Sequence, residues 1–133
     1  LPMQDGMIRT GLPYVSKEKT SSNERTQEVR IVNPLSLIEG ETKLDYIKCD
    51  IEGYEWIVFQ ALKPALIKHL PIVQIEIAKK NLEDFIEFFD ALEFVQYGIS
   101  NNEIIQEDGA QKEDGDYLFV PKSKEASFLD RLK

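Results

Sequence analysis

From residue 44 onward the chain alternates strand and helix signals, and that order constrains its fold more than any other feature. Residues 46–51, YIKCDI, are a compact, apolar-leaning strand run, and Gly53 marks the turn that follows. Residues 54–62, YEWIVFQAL, read as helix. Pro64 opens a second short helix, because proline is tolerated in a first helical turn and not in a helix interior. Leu66, Ile67 and Leu70 form its buried face, and Pro71 stops it. Residues 72–77, IVQIEI, are the clearest strand, with aliphatic side chains on both faces, as a strand covered on both sides requires. Residues 82–92 are the clearest helix. Leu82, Phe85, Ile86, Phe89 and Leu92 recur at helical spacing, Glu83, Asp84, Glu87 and Asp90 take the other side, and Asn81 is placed to cap the start. Residues 94–99 read as a strand and residues 100–116 as a polar, acidic loop in which Ile104 and Ile105 pair briefly. Residues 117–120 are a last strand, and Phe128, Leu129 and Leu132 mark a final helical turn.

Strand, helix, strand, helix, strand, strand predicts two right-handed crossovers that build parallel pairs, with helices on the faces and an antiparallel hairpin at the end. The expected class is α/β, a partial doubly wound, Rossmann-like sheet, mostly parallel with an antiparallel final strand. The front of the chain is less regular. Residues 7–8 and 14–15 are candidate short strands, residues 16–28 carry no apolar side chain, residues 29–32 read as a short strand, and residues 35–39 as a helical turn ending at Gly40.

At 133 residues the chain is one domain or less, yet long enough to bury a core. A formal charge of −8 with no basic face excludes nucleic acid as a partner and disfavours an anionic membrane surface. No apolar run approaches the roughly 18 residues of a membrane span. Cys49 is the only cysteine, so neither an internal disulfide nor a cysteine-based zinc site can form within the chain. That usage fits a reducing compartment, and a cytoplasmic location is expected.

Asp50 and Glu52 fall at the carboxyl end of the strand at 46–51, just before the glycine turn. In open α/β sheets ligands bind outside such strand ends. Glu76 lies near the end of the next strand, so the three acids can face one crevice. The plainer reading of Asp50 and Glu52 is a solvated turn, and of Glu76 a strand-end acid paired with Lys79 or Lys80. An unrelated α/β protein that uses these acids to bind Mg²⁺ or Ca²⁺ is a further alternative, but they show no spacing like a calcium loop, and no metal ligand is assigned. His69, the only histidine, suits capping of a helix C-terminus. Cys49 reads as a small buried side chain, and Trp56 and Phe59 as a helix core face. Lys48 reads either as an edge residue or as a contact for a ligand carboxylate. The acids Glu107, Asp108, Glu113, Asp114 and Asp116 read as a solvated hairpin loop.

The string KCDIEGYE, followed by WIVFQAL, resembles the K-x-D-x-E-G-x-E signature of FkbM-type methyltransferases, and VQIEI is similar to the apolar strand ending in Glu that follows it there. The likeness is detailed over residues 44–78 and looser to residue 120. It implies a class I methyltransferase fold that uses S-adenosylmethionine, often on a hydroxyl of a sugar, polyketide or other small molecule. Carried onto this sequence, it puts Asp50 and Glu52 between methyl donor and acceptor as catalytic residues, Asp50 and Gly53 at the cofactor, and Glu76 on the acceptor side. Glu55 falls in the first helical turn, where a negative charge suits the helix dipole. A sulfonium donor is already reactive, so the protein mainly aligns the reactants. A carboxylate must still take the acceptor's proton, and Asp50 is the first choice, with Glu52 as orienter or substitute.

Two departures accompany the likeness. The family's glycine-containing cofactor turn has no counterpart, and Ser36 stands in NPLSL where the family often has Asp. The expectation is the C-terminal portion of a methyltransferase domain without its first strands. The strand at 46–51 then has an uncovered edge, to be met by self-association, a partner chain or a rearranged N-terminal segment. The alternative is a non-catalytic interaction or oligomerisation module of the same ancestry.

Overall fold

The computed structural model describes residues 3–4, 7–8, 30–106 and 113–133. The chain divides into two compact units, Leu1–Val32 and Asn33–Lys133. In the first, β1 (Met3–Gln4) and β2 (Met7–Ile8) pair antiparallel. Residues 30–32 are not in a strand. The candidate strand at 14–15, the polar run 16–28 and residue 29 lie outside the described residues.

The second unit runs α1 (Pro34–Ile38), β3 (Tyr46–Cys49), α2 (Glu55–His69), β4 (Ile72–Ile77), α3 (Leu82–Asp90), β5 (Phe94–Ser100), β6 (Glu103–Gln106), β7 (Gly115–Pro121) and α4 (Glu125–Arg131). Its five strands lie in the order β3-β4-β7-β5-β6. The β3–α2–β4 crossover makes the expected parallel pair. The mostly parallel sheet is not found: β4–β7, β7–β5 and β5–β6 are all antiparallel. The cause is the last strand. Residues 117–121 of β7 are all buried, so β7 takes the middle of the sheet and separates β4 from β5, which point the same way without pairing. β6 follows β5 through Asn101 and Asn102, both with positive φ (51° and 63°), the backbone that a two-residue hairpin needs.

Strand periodicity sorts the core onto two faces. Val73, Ile75 and Ile77 of β4, Tyr117 and Phe119 of β7, Phe94 and Cys49 meet Phe59, Leu62 and Leu66 of α2 and Leu82, Phe85 and Phe89 of α3. On the opposite face Tyr97, Leu118 and Val120 pack with Ile72, Val95 and Phe128, the last from α4. β4 therefore alternates: Val73, Ile75 and Ile77 are buried, Gln74 is half-buried and Glu76 exposed. It is not the strand covered on both faces that its aliphatic content suggests.

Helix α2 also differs from the reading of two helices, because it runs unbroken through Pro64. A proline there removes a main-chain hydrogen bond, but burial on either side of it, by Phe59 and Leu62 before and Ala65 and Leu66 after, keeps one axis. The helix ends at Leu70 in the left-handed conformation (φ 48°), with Pro71 next. Lys68 and His69 lie in its last turn, and Lys124 Nζ donates to the Leu70 carbonyl at 2.5 Å and the His69 carbonyl at 3.5 Å. Asn81 precedes α3 as expected but makes no side-chain cap bond.

Candidate functional site

β3 stops at Cys49, and the next five residues shape the site. Glu52 has φ 54° and Gly53 φ 100°. Two successive positive φ values reverse the chain sharply, and the second is one that L side chains rarely adopt, so glycine is required there by conformation. Closeness is not the reason, since a Cβ on Gly53 would meet nothing within 4 Å. Glu55 opens α2, and its carboxylate is buried at 7% exposure. One of its oxygens accepts from the Ile51 N–H and the other from the Gly53 N–H, both at 2.9 Å. Glu55 thus sits in the first helical turn as the spacing suggested, and it also ties down the loop that precedes the helix.

The reversal brings the acids together. Asp50, Glu52 and Glu76 are all exposed, and one carboxylate oxygen from each lies within 4.8 Å of the others. β3 and β4 are parallel, with Cys49 beside Ile75, so residue 50 follows the end of β3 next to Glu76. The carboxyl of Glu76 is held above its ordinary range, first by a hydrogen bond with Asp50, then by burial and by the charges of Asp50, Asp116 and Glu52. Its hydrogen bond therefore goes to Asp50, where sequence reasoning pairs it with Lys79 or Lys80. The main-chain N–H of Lys79 donates to Asp114 at 2.6 Å. Lys48 lies 3.9 Å from Asp50 across an exposed gap.

Asp116 is the contributor that sequence reasoning missed. It reads as a loop acid, but it lies on β7 directly opposite Glu76 in the β4–β7 register. The placement depends on β7 entering beside β4, which no local pattern reveals. Asp116 also accepts a long hydrogen bond from Gln74 Nε2 at 3.4 Å, and Tyr46 donates its hydroxyl hydrogen to Gln74 Oε1. Burial, and then the Asp116 charge, raise the Tyr46 phenol above its usual value. At the same end of the sheet Ala78, Lys79, Lys80, Glu83 and Asp114 line an open groove.

The raised Glu76 carboxyl has a pH consequence. The folded state holds this proton more tightly than the unfolded chain, so stability falls as pH rises from the ordinary carboxylate range to the raised value. A Glu76→Gln variant is expected to be more stable than the parent at pH 7 and to lose that advantage near pH 4. Urea titrations of both proteins across this range measure it, and a constant difference would contradict it.

Other candidates are structural. Cys49 is buried, and its thiol is pushed up to about 11 by burial and by the charges of Glu55 and Asp50, so it stays protonated. Trp56 packs edge-on against Phe85 at 5.1 Å and Phe88 at 5.8 Å between α2 and α3. Three exposed carboxylates are common without an ion, and no metal site is assigned. No helix among the described residues is long and apolar enough to cross a membrane.

No curated protein and no solved structure matches the chain. A family model described as the methyltransferase FkbM domain matches residues 4–113, a span that takes in the acid-bearing turn, the β3–α2–β4 crossover and α3. With that span covering most of its length, the chain belongs to the methyltransferase FkbM domain family.

Proposed function

We propose that this domain takes part in methyl transfer from S-adenosylmethionine to a hydroxyl of a small-molecule acceptor, with Asp50 as the carboxylate that receives the acceptor's proton. The convergence of Asp50, Glu52 and Glu76 within 4.8 Å at the ends of two parallel strands carries this reading. When bound, S-adenosylmethionine supplies a methyl group already activated as a sulfonium. The donor set suits that end of the molecule, because carboxylates favour a nearby cation and can hold a hydroxyl. The described residues hold no glycine cradle for its adenosine end: Gly53 serves the turn.

Within the cluster Glu76 lies against Asp50, which raises its carboxyl above the ordinary range. Asp50 keeps lone pairs free for the acceptor hydroxyl and takes its proton as attack proceeds. Glu52, carried on a reversed backbone, orients the acceptor. Glu76 lines the acceptor side. Calorimetric titration with S-adenosylhomocysteine, together with transfer of a labelled methyl group to a panel of sugars and hydroxylated small molecules, tests this. Saturable binding and label in an acceptor support it, whereas neither binding nor transfer overturns it.

One observation favours a second reading. β3 ends the sheet, and among the described residues no strand pairs on its outer side. A non-catalytic member of the family that associates through this edge would ignore S-adenosylhomocysteine and sediment as a concentration-dependent oligomer.

A further inference from the structure

Glu55 is the buried charged side chain of the described core, and both of its oxygens are committed to main-chain N–H groups. A glutamate needed only to complement a helix dipole can stay in water. This one is turned inward, and its two partners, Ile51 and Gly53, bracket Glu52. Glu52 is in the left-handed region (φ 54°) that a residue with a side chain seldom occupies without support. Asp50 is bonded directly to Ile51, so the amide that Glu55 holds also sets where Asp50 departs from β3.

We propose that Glu55 is a positioning residue: its buried carboxylate clamps the main chain at 51 and 53, and so holds Asp50 against Glu76 and Glu52 beside them. The functional meaning of the clamp rests on the methyl-transfer reading above; the clamp itself does not. Glu55 touches neither the acceptor nor the donor in this scheme. It acts through the loop. Its charge is not among the causes that raise Glu76, and glutamine and alanine remove that same charge, so the difference between the two variants reads the movement of the loop.

The test is a carbon-detected NMR titration of the Glu76 and Asp50 carboxyls in the whole chain, with Glu55→Gln and Glu55→Ala variants beside the parent. Glutamine keeps one acceptor oxygen and alanine keeps none. The expected result is graded. With amide spectra showing β4 and β7 intact, the Glu76 midpoint moves part of the way back to the ordinary carboxylate range in Glu55→Gln and most of the way in Glu55→Ala. Methyl transfer falls at least tenfold in Glu55→Ala. A residue with a merely structural role would lower the melting temperature and leave the Glu76 midpoint in place, and that outcome overturns the proposal. Should Glu55→Ala fail to fold, Glu55→Asp, which keeps the charge and shortens the reach to the two N–H groups, decides by the same reading. If the parent transfers no methyl group, the functional reading fails while the titration still decides the clamp.

Discussion

An Asp50→Asn variant is expected to lose about 10²- to 10⁴-fold in methyl-transfer rate, the usual contribution of a positioned general base. The substitution keeps the shape and a hydrogen-bonding oxygen for Glu76 but removes the ability to take a proton. By the usual conversion the loss is about 3–5 kcal/mol of transition-state stabilisation. Unfolding would not explain it. Asp50 is exposed, and its ion pair with Lys48 spans 3.9 Å between side chains 56% and 43% accessible, a kind of contact worth about 0–1 kcal/mol. Stability should therefore change little, and S-adenosylhomocysteine affinity should change far less than rate. Single-turnover kinetics on the labelled acceptor separate these effects. A rate equal to the parent's would remove Asp50 from the mechanism and leave Glu52 as the candidate base.

What could be read beforehand divides along the range of the interactions. The crossover from β3 through α2 to β4 was legible because its signals are local: a short apolar run, a glycine where φ must be positive, a helical stretch and a proline stop. α3 was legible for the same reason, from Leu82, Phe85 and Phe89 at helical spacing. The position of β7 was not. Residues 117–121 show an apolar strand, but which neighbours it takes depends on burying both of its faces, a property of the whole sheet. Two errors follow from that one. The order of elements predicts a mostly parallel sheet, and Asp116 reads as a loop acid, whereas it stands opposite Glu76. The continuity of α2 through Pro64 runs against local propensity, and tertiary burial on both sides of the proline outweighs the lost bond. At the site the chain order was enough to bring Asp50, Glu52 and Glu76 to one strand end. The inward turn of Glu55 was not legible, since a first-turn glutamate has the same spacing whether it faces water or its own loop.

Phe89→Ala is expected to be the most damaging single truncation of the core, costing about 3–5 kcal/mol. Phe89 is fully buried and stacks on Phe119 with ring centres 4.0 Å apart and planes 16° from parallel. It also meets Phe59 at 5.6 Å, Phe88 at 5.2 Å and Phe94 at 5.4 Å, so one side chain joins α2, α3, β5 and β7. Alanine would remove all four contacts and leave a cavity under the centre of the sheet, where the surrounding rings cannot collapse without leaving their own partners. A domain of this size is stable by only about 5–15 kcal/mol, so the loss is a large share of the total. Phe89→Leu, which refills much of the volume without the ring geometry, should cost clearly less. Urea unfolding with an unchanged slope measures both, and a change below about 1 kcal/mol for alanine would mean that the aromatic cluster is not what holds α3 on the sheet. The consequence reaches the site through β7: Phe119 and Asp116 share that strand, and Asp116 lies opposite Glu76. Loosening the stack should therefore also broaden the Glu76 carboxyl resonance in the folded variant, whereas a change confined to α3 would leave it sharp.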